Sequence, residues 1–150
     1  MSPDQSSPSQ WARQRRDAAA ERARLLRARQ DAEHAKAERI VAAFLSQAVQ
    51  DGLAPTRLRA RGYHGGTART SLRGWYLRTD RTVALGEDGA FYVLTLPLGL
   101  RERLLGASPA PARVPLVVGE GGRDGDVVPL LDALETLSPG WRDRCTVPLV

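Results

Sequence analysis

This sequence of 150 residues has few cysteines, lysines and aromatic residues and no long apolar run. Several of these absences exclude particular classes of protein. The single cysteine, Cys145, excludes an intramolecular disulfide framework and a zinc site built on cysteine pairs. No run of 18 or more apolar residues occurs, which excludes a membrane-spanning helix. Residues 1–8 have neither the basic nor the apolar region of a signal peptide. We therefore expect a soluble cytoplasmic protein.

Positive charge is what the sequence has in excess, and it is unevenly distributed. The net charge is +5, yet residues 57–81 alone carry seven arginines against one acid, Asp80. An excess of this size within one segment attracts polyanions. Lys36 is the only lysine among 22 basic residues, a bias that a GC-rich genome also produces. The arginine excess therefore has two explanations, a functional one and a compositional one.

A long helix is predicted over residues 8–51. Its start has the pattern of a capping box, with a serine cap, a proline at the first helical position and a glutamine that reaches back, namely Ser7, Pro8 and Gln10. A similar pattern at residues 2–5 offers a second possible start. Neither proline nor glycine follows Pro8 until Gly52, which supplies a stop. Residues 1–7 are expected to be disordered.

The two halves of this helix differ in character. Residues 40–51 carry an apolar stripe at helical spacing, formed by Ile40, Val41, Phe44, Leu45, Ala48 and Val49, and we expect it to dock on the following domain. Residues 11–39 have three large apolar side chains, Trp11, Leu25 and Leu26. The whole helix is about 65 Å long, whereas a domain of the remaining chain has a radius of gyration of about 12 Å. We therefore expect residues 11–39 to project. The alternatives are that they stay solvated, pair with a partner helix, fold back at a kink or fray. The heptad seam is poor for a parallel coiled coil, whereas alanine faces allow close antiparallel packing.

The sequence pattern after Gly52 predicts short strands. Three are predicted from period-2 alternation, at residues 72–78, 81–85 and 90–96, and tight turns between them imply an antiparallel meander. A strand is also expected at residues 57–63. The alternation places Trp75 and Tyr92 on one face of the sheet and Tyr76 and Phe91 on the other.

The remaining elements complete an α+β fold: a long N-terminal helix docked on a small antiparallel β-meander with two short helices. The helices are predicted at residues 97–105 and 129–137 from the spacing of their leucines. Between them, residues 114–118 form a strand that Pro115 restricts to an edge. We place the small domain at residues 57–138 and a C-terminal tail at residues 139–150.

No catalytic or metal-binding group is predicted. The glycine-rich segment at residues 119–125 lacks the lysine and hydroxyl residue of a phosphate-binding loop, and its carboxylates, Glu120, Asp124 and Asp126, repel phosphate. His64 lies in a glycine-rich loop without a neighbouring nucleophile or acid. His34 and Glu38 stand one helical turn apart, but two ligands do not make a metal site. No cofactor is expected.

The basic segment mixes arginines with aromatic residues. Guanidinium groups bind phosphates and aromatic rings stack on unpaired bases, although the sequence motifs of RNA-recognition sheets are absent. The predicted nucleic-acid-binding residues are Arg57, Arg59, Arg61, Arg69, Arg73, Arg78, Arg81 and Tyr76.

Two segments carry a resemblance to known proteins. Leu72-Arg-Gly-Trp-Tyr-Leu-Arg78 and Ala84-Leu-Gly-Glu-Asp-Gly-Ala-Phe-Tyr-Val-Leu94 resemble small actinobacterial proteins of uncharacterised function, over roughly residues 57–135. This resemblance implies no activity. The tripeptide Trp75-Tyr76-Leu77 is also similar to one in the WYL domain of bacterial regulators, which senses nucleic acids or ligands. The wider arginine and tyrosine framework of that domain is not evident, so none of its binding residues is carried over.

The sequence therefore predicts a non-enzymatic binding or adaptor protein that engages DNA or RNA through its basic segment. The alternative is a protein-interaction module in which Trp11, Leu25 and Leu26 pair with a second copy or with another protein's helix. An enzyme built on His64, the arginines and the carboxylates of residues 120–126 is a third hypothesis. No membrane partner is expected.

Overall fold

The computed structural model describes residues 7–119 and 127–149. By their internal contacts these residues divide into two units, one ending at Glu33 and the other beginning at His34. Helix α1, Pro8–Gln50, contributes to both units. No helix of the described ranges is long and apolar enough to cross a membrane.

Helix α1 begins and ends where its capping residues predict. The Ser7 hydroxyl accepts a hydrogen bond from the Gln10 backbone at 3.4 Å, and the Ser7 backbone donates to Gln10 Oε1 at 3.3 Å. At the other end Gly52 has a φ of +68°, and the Leu53 N–H donates to the Ala48 carbonyl at 2.9 Å. Glycine is suited to this left-handed position because it has no Cβ.

Five strands form one mixed sheet. They are β1 (Thr56–Gly62), β2 (Thr67–Tyr76), β3 (Val83–Gly86), β4 (Phe91–Val93) and β5 (Thr95–Leu96). The order across the sheet is β4-β3-β2-β1-β5, with β5 parallel to β1 and the other pairs antiparallel. The predicted α+β class is confirmed. The predicted antiparallel meander corresponds to β2, β3 and β4, and β5 adds a parallel edge to the sheet beside β1.

The segment from β4 to β5 links the two edges of the sheet. Leu94 lies between these strands; its N–H donates to the Thr82 carbonyl at 2.7 Å, and its carbonyl accepts from the Arg61 N–H at 2.7 Å. One short stretch of chain is therefore hydrogen-bonded towards both β3 and β1. A second core cluster is formed by the buried residues Leu58, Ala84, Tyr92 and Leu94.

The main core lies between the sheet and the C-terminal half of α1. Phe44 is fully buried and packs edge-to-face on Trp75, with ring centroids 5.9 Å apart, and on Trp141, at 5.3 Å. Buried α1 residues run from Ala37 to Ala48, so burial begins before the predicted docking segment at residues 40–51. Val49, which the predicted stripe includes, is 82% exposed.

The predicted facing of β4 was wrong by one residue. Trp75 pairs with Leu85, and Leu85 with Phe91, so Phe91 rather than Tyr92 shares the face of Trp75. A shift of one residue moves every side chain of a strand to the opposite face. Tyr92 points inward, and its hydroxyl donates to Asp88 in the preceding turn at 2.7 Å, a bond that raises the pKa of Tyr92 to about 12.

The rest of the chain adds short elements. They are α2 (Leu100–Leu105), β6 (Val117–Val118), β7 (Val128–Pro129), α3 (Leu130–Leu137) and α4 (Trp141–Arg144). The described residues thus contain three short helices where two were predicted. The additional helix, α4, lies in the segment predicted as a tail, and its Trp141 is fully buried in the main core.

Candidate nucleic-acid interface

One side of the β1–β2 hairpin consists of exposed arginines. Alternation along the two strands buries Leu58, Ala60 and Ala68 and leaves the residues between them exposed. The exposed arginines of the two strands, which we call the arginine face, are Arg57, Arg59, Arg61, Arg69 and Arg73.

The register places like charges directly opposite each other. Arg57 pairs with Arg73, and Arg59 pairs with Arg69, across the two antiparallel strands. Residues opposite each other in such a pair have Cβ atoms about 5 Å apart, and like charges there are destabilising. The face is therefore a two-row array of guanidinium groups held on one pair of strands.

A bulge in β2 keeps the two rows on the same side. One residue separates Arg57 from Arg59 on β1, whereas three residues separate Arg69 from Arg73 on β2. Strand β2 therefore has two extra residues at this point, an even number. The buried Thr70 hydroxyl holds this irregularity, because it donates to the Leu58 carbonyl at 2.6 Å and accepts from the Leu72 N–H at 3.2 Å. An even insertion preserves the alternation, and both β2 arginines stay exposed.

Three of the five arginines of this face donate to neutral groups. Arg59 donates to the Thr67 hydroxyl at 3.0 Å, Arg73 to the Pro55 carbonyl at 3.3 Å, and Arg61 to the Asp80 carbonyl. No carboxylate oxygen in the described part of the chain lies within 4.0 Å of a guanidinium nitrogen of the arginine face. Its positive charge is therefore not compensated by ion pairing among these residues.

The other three predicted binding residues lie at the turn between β2 and β3. Tyr76 is half-buried and accepts a hydrogen bond from the Arg59 backbone N–H at 3.0 Å, while the Arg81 guanidinium lies 5.3 Å from the centre of its ring. Arg78 pairs with Asp80 at 3.3 Å. The structure thus divides the predicted set into five arginines on one face and a separate group of Tyr76, Arg78 and Arg81.

A cleft of about 840 Å³ opens beside this second group and reaches α3 on its far side. Three of its polar side chains, those of Tyr76, Arg78 and Thr136, are already engaged within the fold. Burial favours the neutral form of Asp80, but hydrogen bonds from Thr82 and the nearby Arg78 outweigh that effect and lower the pKa of Asp80 below its usual value. Asp80 is therefore ionised at neutral pH and neutralises part of the charge of Arg78.

The hairpin loop adds one exposed aromatic residue that the predicted binding set omits. Tyr63 is 65% exposed, and His64 beside it is also exposed. The loop turns through two glycines in left-handed backbone conformations, Gly65 at φ +95° and Gly66 at φ +77°. An aromatic residue two positions before such a pair of glycines is the signal that identifies this exposed position.

The groups considered for catalysis or metal binding have separate structural partners. His34 Nδ1 donates to the Val114 carbonyl at 2.9 Å, whereas Glu38 pairs with Arg113 at 3.2 Å. The Cys145 thiol donates to the Val147 carbonyl at 3.6 Å. Within residues 7–119 and 127–149, no group of three or more His, Cys, Asp or Glu side chains is placed to hold a metal ion. Glu120, Asp124 and Asp126 lie outside the described residues.

The predicted partner-helix residues belong to the first unit, in which every described side chain from Ser7 to Glu33 is exposed. Trp11 is 59% exposed, Leu25 61% and Leu26 57%. The Arg15 guanidinium lies 5.0 Å from the Trp11 ring centre. Local ion pairs, such as Arg24–Glu21 at 2.7 Å, support the helix here.

Comparison with known proteins gives no identification: no protein-family model, curated protein or solved structure matches the chain. The resemblance to small actinobacterial proteins stays a prediction.

Proposed function

We propose that this protein is a non-enzymatic nucleic-acid-binding protein and that the arginine face is its contact surface. One observation carries the proposal: five exposed guanidinium groups share one side of a hairpin, and no described carboxylate pairs with them. Guanidinium groups bind phosphates through paired hydrogen bonds, and each contact releases counterions from the nucleic acid.

The pairing of like charges supports a ligand rather than a purely structural role. Arg59 directly opposite Arg69 raises the free energy of the isolated hairpin, because their charges repel across the strands. A bound polyanion removes this repulsion. The compositional explanation of the arginine excess accounts for the number of arginines but not for their concentration on one face of two neighbouring strands.

Binding is tested by fluorescence anisotropy with labelled DNA and RNA and the full chain at several salt concentrations. We expect binding at low salt that weakens steeply as salt rises, because the contacts are with phosphates. The double variant Arg59→Gln/Arg69→Gln is expected to bind on the order of 100-fold more weakly, since two charge-assisted hydrogen bonds are lost.

The matched control is Arg113→Gln/Arg142→Gln. It changes the net charge by the same amount, but its arginines pair with Glu38 and Glu135 away from the arginine face. This control should bind nearly as well as the wild type. Equal losses in the two double variants, no binding of DNA or RNA at low salt, or binding of anionic lipid vesicles alone would each contradict the proposal.

A second candidate function rests on the exposed apolar residues of the first unit. Trp11, Leu25 and Leu26 fall within about 100° of one another around the helix axis, so they form one apolar side. Each is more than half exposed. We propose that this side pairs with the same side of a second copy in an antiparallel arrangement, where neighbouring alanines allow close approach.

Light scattering over a range of protein concentrations tests this pairing. Leu25→Glu should shift the wild-type dimer towards monomer. Ala20→Glu adds the same charge about 140° away around the helix and should leave the dimer intact. A wild-type chain that stays monomeric at high concentration, or equal effects of the two variants, would exclude self-association through this surface.

A further inference from the structure

We infer that the arginine face takes a duplex, through the phosphates of both strands and without reading base sequence. This inference rests on the proposed function, since it specifies the class of nucleic acid that the same surface binds. It depends on three properties of the face: what it lacks, what its remaining residues are, and how its charges are spaced.

The arginine face has no aromatic platform. Proteins that hold single strands stack successive bases on aromatic side chains, each worth about 1–3 kcal/mol. In this protein Trp75 is buried in the main core, and Tyr76 is half-buried with its ring beneath Arg81. Tyr63 is exposed, but it lies in the loop, and a single ring stacks only one base. A single strand bound here would therefore lack the base stacking on which single-strand-binding proteins depend.

The other exposed residues of the two strands are small and carry hydroxyl groups. On the side of the arginines they are Thr67 and Ser71. Hydroxyl and guanidinium groups make most protein contacts to the nucleic-acid backbone, whereas asparagine and glutamine, which recognise adenine, are absent from these strands. This composition suits contact with phosphates.

The density of positive charge also matches a duplex. Arg57 to Arg61 spans about 13 Å of strand at about 3.3 Å per residue. Over that length one strand of a duplex presents about four phosphates and both strands about eight. The face offers five guanidinium groups in two rows. The face therefore carries slightly more charges than one duplex strand presents phosphates over this length, and fewer than two strands present.

The experiment compares four ligands of equal length in competition with a labelled probe: duplex DNA, duplex RNA, single-stranded DNA and single-stranded RNA. Duplex should bind at least tenfold more tightly than single strands. Changing the base sequence of the duplex should alter Kd by less than about threefold, because only phosphates are contacted. Since duplex DNA and duplex RNA share this chemistry, tight binding by either supports the inference, and the tighter one identifies the source.

Salt dependence and variants make the test quantitative. Five phosphate contacts predict a slope of log K against log salt of about −4.5 for duplex DNA, and each Arg→Gln variant on the face should reduce its magnitude by about 0.9. Tyr63→Ala should leave duplex binding unchanged. Single strands that bind as tightly as duplex, or a loss of binding in Tyr63→Ala, would overturn the inference while the proposed function stands. Failure of every nucleic acid to bind would overturn both.

Discussion

At the scale of single residues, one ion pair ties the end of helix α1 to helix α4. Arg144 Nη2 lies 2.9 Å from Asp51 Oδ2, and Gln47 donates to the other carboxylate oxygen of Asp51 at 2.8 Å. Arg144 also donates to the Ser138 hydroxyl at 3.1 Å. The hydrogen bond from Arg144 lowers the pKa of Asp51, and the same bond raises the pKa of Arg144.

This pair predicts a specific acid sensitivity. Because the pKa of Asp51 in the folded state lies below its usual value of 3.8, its contribution to stability is present above that value and is lost as pH falls through the folded pKa. Urea unfolding of the wild type and of Asp51→Asn should differ at pH 7, and the difference should shrink towards pH 2. Asp17→Asn, at an exposed position of the first unit, is the control and should match the wild type throughout. A wild-type advantage that is constant with pH would contradict this account.

Gly74 is a second residue whose identity the structure requires. It pairs with Gly86 across β2 and β3, and a Cβ at this position would collide with the Leu85 carbonyl oxygen. Because that oxygen belongs to the backbone, only a shift of the strands relieves the collision. Gly74→Ala should lower the free energy of unfolding by about 3 kcal/mol. Ser71→Ala, at an exposed position of the same strand, should change it by less than about 0.5 kcal/mol. Equal stability of the two variants would show that the strands yield easily here.

At the scale of elements, the β1–β2 hairpin combines charge repulsion with the proposed binding surface. Among the described residues the Arg69 side chain makes no hydrogen bond or ion pair that a substitution would remove, and Arg69 lies directly opposite Arg59. Arg69→Gln should therefore stabilise the ligand-free protein by about 0.2–1 kcal/mol at low salt. The gain should disappear near 1 M salt, where the Debye length is about 3 Å. Urea unfolding at the two salt concentrations measures both values.

The same variant separates binding from folding. Arg69→Gln should bind nucleic acid more weakly although it is more stable, so a loss of affinity cannot be attributed to unfolding. Arg113→Gln is the matched control, because it removes one positive charge that is paired with Glu38 and should bring no gain in stability. A destabilised Arg69→Gln at low salt would contradict the repulsion between the two rows.

Local patterns predict some elements well and others poorly. The α1 ends follow from Ser7, Gln10 and Gly52, whose hydrogen bonds are all within a few residues. The arginine face likewise follows from alternation along β1. The inward position of Tyr76 does not follow from alternation. It depends on a hydrogen bond from the Arg59 backbone N–H, 17 residues earlier in the chain. The pattern of the sequence therefore does not divide the predicted binding set into its two groups. That division depends on the register of the sheet, which is fixed by turns and bulges.

At the scale of the whole molecule, the unpredicted features are the contacts between distant parts of the sequence. Trp141 packs on Phe44, and His34 is hydrogen-bonded to the Val114 carbonyl 80 residues later. These contacts extend the buried part of α1 to Ala37 and bring the predicted tail into the core. Periodicity within α1 marks an apolar stripe, but it contains no information about which later segment covers that stripe.

The division of α1 between two units predicts a division in amide hydrogen exchange. Amides between Ala37 and Ala48 lie in turns whose side chains are buried, so their opening disrupts the core. Residues 11–33 are exposed and have only local support, and isolated helices are marginal in water. Exchange followed by mass spectrometry at low protein concentration should be at least about 100-fold faster for residues 11–33. Equal protection of the two segments under these conditions would contradict the division.

Amide hydrogen exchange measured at several protein concentrations also tests helix pairing. If Trp11, Leu25 and Leu26 form the contact with a second copy, raising the protein concentration should slow exchange in residues 11–33 and leave residues 37–48 unchanged, because only the first segment gains new packing. Leu25→Glu should abolish this slowing, whereas Ala20→Glu should retain it. If hydrogen exchange slows equally in both variants, the contact lies elsewhere on the helix. If exchange does not slow at any protein concentration, helix pairing is excluded and the arginine face is the remaining candidate for a binding surface.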